Sequence, residues 1–255
     1  EDKAGITADM ALISAHLVRR EFDAALKAID GLQKKQPDKP LAHNLRGRVQ
    51  MAMQQPDAAR RSFEEAVKLD AGYFPAAAAL AGLDLADQKP DAARQRFQAV
   101  LAKNPKSVPA LLGLAELSAR TGGSKEEVAK LLTDAVNAAP DSARARVLLV
   151  DHHLRNNQVR EAMASAQAGV AGQPNNADLV DALGRVQLAA NDHQQALASF
   201  NKLATLAPKS GLPQLRLAAV RLAMKDEAAA RQSLQRALTL TPNLLPAQQQ
   251  LIALD

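Results

Sequence analysis

The chain has 255 residues, 47% of them hydrophobic but only 2% aromatic, and 32 Lys and Arg against 27 Asp and Glu give a net charge of +5. Cysteine is absent, which excludes a disulfide framework, a thiolate metal site and a cysteine nucleophile. The positive charge is interspersed and has almost no aromatic platform beside it, so a nucleic-acid partner is not expected, and no apolar run approaches the ~20 residues of a transmembrane helix.

Helices are expected in pairs along the chain. The first pair, residues 6–39, carries Leu12-Ile13 on its first helix and Ala25, Ile29 and Leu32 on one face of its second, and stops at Pro37. The second, 40–73, has Arg46-Gly47, the turn Gln55-Pro56-Asp57, then Ala59, Phe63 and Ala66, and ends at Ala71. The third, 74–107, repeats the pattern with Leu80-Ala81, Lys89-Pro90-Asp91, Ala93, Phe97, Val100 and Pro105. In the fourth, 108–142, Leu114-Ala115 precedes Thr121-Gly122-Gly123-Ser124, which absorbs one extra residue before Val128, Leu132, Ala135 and Pro140. The fifth, 143–176, shows Leu149-Val150, Asn156-Asn157, Ala162, Ala166, Gly169 and Pro174. The sixth, 177–210, shows Leu183-Gly184, Asn191-Asp192, Ala196, Phe200, Leu203 and Pro208. The seventh, 211–244, shows Leu217-Ala218, Lys225-Asp226, Ala230, Leu234, Ala237 and Pro242, and residues 245–255 read as one more first helix.

The physical reasons are the same in every pair. Proline cannot continue the helical hydrogen-bond ladder and so closes the second helix. A small or branched residue twelve before the stop lets two helices approach, and the residues eight and five before it share one helix face. Polar residues in the turn can cap the helix that follows. Only Arg46 breaks the large-then-small rule of the first helices.

Successive stops are 34, 34, 35, 34, 34 and 34 residues apart, and a 34-residue helix–turn–helix period resembles the tetratricopeptide repeat. That resemblance implies an all-α, right-handed superhelical solenoid of about seven hairpins plus one helix, forming a single array over 1–255. The apolar ending Leu251-Ile252-Ala253-Leu254 favours a fragment of a longer chain over a polar terminal cap.

Catalytic chemistry finds little support. The histidines, His16, His43, His152, His153 and His193, lack the spacing of a helical zinc motif. His16 and His153 fall where the repeat often has tyrosine and read as packing residues, while His152 and His193 read as surface residues near turns. There is no nucleophile elbow or phosphate loop, and Gly122-Gly123-Ser124 reads as a turn with a serine cap. An open solenoid rarely gives two carboxylates the shielded pocket that separates their pKa values. No enzyme, cofactor or metal is therefore expected.

What a solenoid offers is a groove lined by one face of its first helices. In tetratricopeptide folds the second, fifth, ninth and twelfth positions of each repeat line it. Carried onto this chain, those positions are Asn44, Arg48 and Met51 in the second pair, Ala78 and Leu85 in the third, and Leu112, Glu116 and Ala119 in the fourth. The fifth pair contributes Arg144, Val147, Asp151 and Leu154, and the sixth Asp178, Asp181, Arg185 and Leu188. Basic Arg48 lies towards one end, acidic Glu116, Asp151, Asp178 and Asp181 lie centrally, and Arg144 and Arg185 are placed to pair with them. A solvated, salt-bridged face and a partner-binding groove both fit this pattern.

A narrower resemblance rests on Tyr73-Phe74-Pro75-Ala76-Ala77-Ala78-Ala79-Leu80-Ala81, Leu83-Asp84-Leu85-Ala86, Ala92-Ala93-Arg94-Gln95-Arg96-Phe97 and the stretch from Leu114 to Val128. These segments resemble the tetratricopeptide lipoproteins of bacterial exosortase (PEP-CTERM) systems. The resemblance implies a non-catalytic scaffold of the cell envelope, in the periplasm or at the outer membrane, that binds a protein or peptide in its groove and assists exopolysaccharide-associated assembly or protein sorting. The family's signal and lipidated cysteine are not in this sequence. A cytoplasmic peptide-binding adaptor, a polysaccharide binder and a spacer that self-associates through its ends are the alternatives. The first needs a Lys, Asn and Arg cluster, and the second aromatic platforms beyond Tyr73 and Phe74.

Overall fold

The computed structural model describes residues 3–254, and among these the fold is all-α, with fifteen helices and no strand. In chain order they are α1 (Lys3–Val18), α2 (Phe22–Lys35), α3 (Leu41–Ala52), α4 (Pro56–Leu69), α5 (Phe74–Ala86), α6 (Pro90–Lys103), α7 (Val108–Arg120) and α8 (Lys125–Ala138). They continue as α9 (Ala143–Arg155), α10 (Val159–Gly172), α11 (Ala177–Ala189), α12 (His193–Leu206), α13 (Leu212–Ala223), α14 (Glu227–Leu240) and α15 (Leu245–Ile252). The chain divides into two compact units, Glu1–Glu127 and Val128–Asp255. Odd-numbered helices open the hairpins and even-numbered helices close them.

Within each hairpin the turn is built the same way. The second residue after the first helix adopts a left-handed conformation at Arg20, Gln54, Gln88, Gly122, Asn157, Asn191 and Lys225, with φ between 58° and 82°. The next N–H reaches back five residues, as in Glu21 to His16 O at 2.9 Å, Lys89 to Asp84 O at 2.8 Å and Gly123 to Ser118 O at 2.7 Å, closing the helix end. Glycine adopts this conformation without cost and asparagine with little, whereas Arg, Gln and Lys give up roughly 1 kcal/mol each.

Between hairpins the stop prolines occupy the second position of a tight turn. Lys39 N–H donates to Gln36 O at 3.3 Å around Pro37, and Asn176 N–H to Gln173 O at 3.1 Å around Pro174; proline's fixed φ suits that position. The capping chemistry is divided. Ser124, Ser142, Asn176, Asp192 and Asp226 accept backbone N–H groups of the following helix at 3.0–3.3 Å. Gln55 and Lys89 make no side-chain cap, and there Pro56 and Pro90 begin the helix instead.

Packing follows the small-residue rule. A Cβ at Gly47 would meet the Phe63 ring at 2.5 Å, and one at Gly184 would meet the Phe200 ring at 2.4 Å. In these two hairpins a phenylalanine of the second helix lies directly on a glycine of the first. Phe63 and Phe200 are almost fully buried, each contributing on the order of 2–3 kcal/mol by leaving water. Arg46, the exception to the large-then-small pattern, has a polar role instead: it donates to Asp30 Oδ1 and Gln33 Oε1, both at 2.7 Å, and so joins α3 to α2.

The eleventh position of every repeat is polar: His16, Gln50, Asp84, Ser118, His153, Gln187 and Arg221. Each reaches the turn or second helix of its own hairpin. His16 Nδ1 pairs with Glu21 at 2.6 Å and His153 Nδ1 with Gln158 at 2.9 Å. Gln50 and Gln187 accept from Ser62 and Ser199 at 2.7 and 2.6 Å, Ser118 donates to Glu127 at 3.1 Å, and Arg221 donates to Ser233. Asp84 is the most buried of the charged members, at 2% exposure, and accepts from Arg60 at 2.5 Å and Arg96 at 3.0 Å. Burial pushes its carboxyl upward, but the two arginines outweigh that effect and hold it below the ordinary carboxylate range.

Candidate interaction face

The first helices of each unit place equivalent positions side by side, and the two units present different chemistry there. In the N-terminal unit, Arg48 and Glu116 are exposed and Met51 is 41% exposed, while Leu85 and Ala78 are partly covered. Leu112 and Asn44 are buried, at 9% and 5% exposure, so their contribution to a surface is small. Glu116 has Arg120 of its own helix at 3.9 Å. Arg48 has no ion pair among the described residues, and its charge acts on Tyr73 at the start of α5.

In the C-terminal unit the acids are paired. Asp151 of α9 accepts from Arg185 of α11 at 2.5 Å, Arg185 also donates to Asp181 at 2.9 Å, and Arg216 of α13 donates to both oxygens of Asp181 at 2.7 and 3.1 Å. This Asp151–Arg185–Asp181–Arg216 ladder joins three consecutive first helices. Burial works against the charge on Arg185, and Asp151 followed by Asp181 more than offsets it, raising its pKa above the ordinary guanidinium value. Arg185 thus pairs with Asp151 and Asp181, as its spacing suggests. Arg144, expected as their second partner, is exposed and makes no ion pair among the described residues; Arg216 takes that role. Asp178 is exposed and stands outside the ladder. Beside it, Leu154, Leu188 and Leu222 form a half-buried apolar row, one on each first helix.

The sequence reading missed Arg216, Arg60 and Arg96. Arg216 lies 35 residues after Asp181, one repeat and one step along, and that offset was the available signal. His152 is buried at 5% exposure and is not a surface residue; Asn156 packs against its ring at 3.3 Å. Among the described residues no cluster of His, Asp and Glu is placed to hold a metal ion, and no helix is long and apolar enough to cross a membrane.

No curated protein matches the chain at the sequence level. Solved structures of the same architecture do. The chain is similar to the C-terminal part of a TPR repeat-containing protein from Cytophaga hutchinsonii, with TM-score 0.64 and 15% identity, over 93% of this chain and 97% of that one. It is similar to YrrB, described as a TPR protein with an unusual peptide-binding site, with TM-score 0.54 and 14% identity, over 74% and 97%. A chain of the APC/C hetero-tetramer Cut9–Hcn1 matches with TM-score 0.60 and 16% identity over 91% of this chain and 48% of that one, so the present chain spans about half of its length. Tetratricopeptide repeat profiles match residues 10–74, 79–132, 123–177 and 181–210. These matches fall on the hairpins described above and cover most of the sequence, so the chain belongs to the tetratricopeptide repeat family.

Proposed function

We propose that the chain is a non-catalytic scaffold that holds a protein or peptide partner against its first-helix faces. The observation that carries this reading is the division of labour along those helices. The ladder residues of the C-terminal unit are consumed by the fold, while Arg48, Met51 and Glu116 in one unit and Arg144 and Asp178 in the other stay accessible at the repeat positions that line a binding face. The peptide-binding site named for YrrB supports the same use of the architecture.

The setting we propose is the bacterial envelope, at the periplasmic or outer-membrane side, in exopolysaccharide-associated assembly or sorting of PEP-CTERM proteins. Its support is the resemblance of residues 73–86, 92–97 and 114–128. The test is capture from bacterial envelope extract with the whole chain as bait, beside a variant with Arg48, Met51, Glu116, Arg144 and Asp178 changed to Ala. Recovery of exopolysaccharide or sorting components, lost with the variant, supports both statements. A partner of another kind that is lost with the variant keeps the scaffold and removes the envelope setting. Capture that the variant does not reduce sinks the first-helix face as the binding surface.

A further inference from the structure

Two successive second helices of the N-terminal unit, α4 and α6, flank a cavity of about 320 Å³. Val67 on α4 and Ala71 just past its end form one wall, Ala92 and Ala99 on α6 the other, and the buried Ala77 of α5 the floor. The cavity exists because these side chains are small. Ala92, Arg96, Ala99 and Lys103 follow one another at intervals of four, three and four residues, so they share one face of α6. At the position of Ala99 other hairpins carry the charged residues Glu65, Asp134, Lys202 and Arg236. Here a methyl group stands in that place, and it is exposed.

Arg96, the long side chain of that face, is held in place. Its Nε donates to Asp84 on α5 at 3.0 Å, and Arg60 of α4 donates to the same carboxylate at 2.5 Å. Asp84 therefore ties both flanking helices to the helix beneath and fixes their spacing around the cavity. A site organised in advance costs an incoming group little further ordering. The mouth is polar. Gln95 is exposed, and Lys103, one turn beyond Ala99, is exposed with no ion pair among the described residues. A Cβ at Gly72 would lie 3.3 Å from the Lys103 Cβ, so this lysine stands at the Ala71 end of the cavity. An apolar lining with a few polar groups at its edge is the composition of a binding pocket.

We infer that this cavity receives one large apolar side chain, of leucine or phenylalanine size, from a helix of a partner protein lying between α4 and α6, with an acidic residue one turn from that anchor paired to Lys103. A buried apolar anchor supplies most of the affinity of such a contact. Charge selects its neighbour. Ala99 and Lys103 are one turn apart on α6, so an anchor over Ala99 brings the partner's own residue one turn away beside Lys103. The acids at this end are already engaged: Asp70 accepts the Gly72 N–H at 2.8 Å, and Glu65 pairs with Lys68 at 2.5 Å. Lys103 is thus left for an acid from outside. This surface lies on the second helices, goes beyond the first-helix face proposed above, and stands or falls separately from it.

The test is fluorescence anisotropy with the whole chain and a labelled alanine-rich helical peptide carrying one Leu, with a Glu four residues to either side. Its twins have Ala for the Leu, or Gln for both Glu. Loss of the Leu is expected to weaken binding about tenfold, and loss of the Glu about threefold at low salt, a difference that fades as salt rises. Ala99→Leu, which fills the cavity from an exposed helical position, is expected to remove the Leu preference, and Lys103→Gln the Glu preference, with helicity checked by circular dichroism. Ala168→Leu, the same change at the equivalent exposed position of α10, leaves both preferences intact. Equal binding of the peptide and its Ala twin, a Leu preference that survives Ala99→Leu, or no binding at all overturns the inference. A Glu preference that survives Lys103→Gln overturns the pairing. The variant with Arg48, Met51, Glu116, Arg144 and Asp178 changed to Ala is expected to bind the peptide unchanged; if it loses the Leu preference instead, the peptide sits on the first helices and this inference falls while the scaffold reading stands.

Discussion

Gly47 and Gly82 both lie inside first helices, yet only one has room for a methyl group. A Cβ at Gly47 would stand 2.5 Å from the Phe63 ring, which is itself buried at 1% exposure and cannot retreat to solvent. Gly47→Ala is expected to cost about 1–3 kcal/mol through overpacking, despite alanine's better helix propensity. At Gly82 nothing lies within 4 Å, so Gly82→Ala gains the propensity term alone, about 0.5–1 kcal/mol. Urea denaturation of the two variants tests the pair, and equal signs would contradict this account of the close approach.

At the level of helices, the polar eleventh position does work that sequence periodicity does not reveal. Asp84 sits in the run Leu83-Asp84-Leu85, where a single acid reads as a surface residue, and only the paired geometry of α4, α5 and α6 shows it as a buried clasp. Asp84→Ala would leave Arg60 and Arg96 with partial solvent access, so the expected loss is about 3 kcal/mol, at the lower end for a broken buried pair. A loss below about 0.5 kcal/mol in urea denaturation would mark the pairs as surface interactions.

A second clasp, between α2 and α3, depends on pH. Gln33 accepts from Arg46 at 2.7 Å through its oxygen and donates from Nε2 to His43 Nε2 at 3.2 Å, which requires a neutral His43 with its proton on Nδ1. Burial first, then the charge of Arg46, lowers the His43 pKa below its ordinary 6.5, with Glu65 opposing. The unfolded chain therefore takes up a proton at higher pH than the folded one. The stabilisation is whole above pH 6.5 and is lost as pH falls through the folded value. Replacing His43 by Asn, which keeps an acceptor, should flatten the fall of thermal stability below pH 6.5; a slope identical to the parent's would remove His43 as its source.

At the scale of the whole chain, the elements were legible because each boundary is set by local backbone chemistry: a proline stop, a left-handed turn residue, a small residue at the closest approach. The face was legible only in part. Asp181 and Arg185 are four residues apart on one helix and visible as a pair, whereas Asp151 and Arg216 join them from 34 residues before Arg185 and 35 after Asp181. Such links depend on how successive repeats stack, which no single repeat encodes.

The same architecture decides how damage spreads. Within each unit hairpins contact their neighbours in sequence, and each unit has its own buried clusters, so stability there is a sum of local terms and nearest-neighbour terms. Gly184→Ala, which drives a methyl against Phe200, should lower amide exchange protection in α11, α12 and the helices beside them while α3 and α4 keep theirs. Gly47→Ala should do the reverse, sparing α11 and α12. Hydrogen exchange read helix by helix distinguishes this from a single cooperative block, in which either substitution would lower protection across all helices by the same free energy.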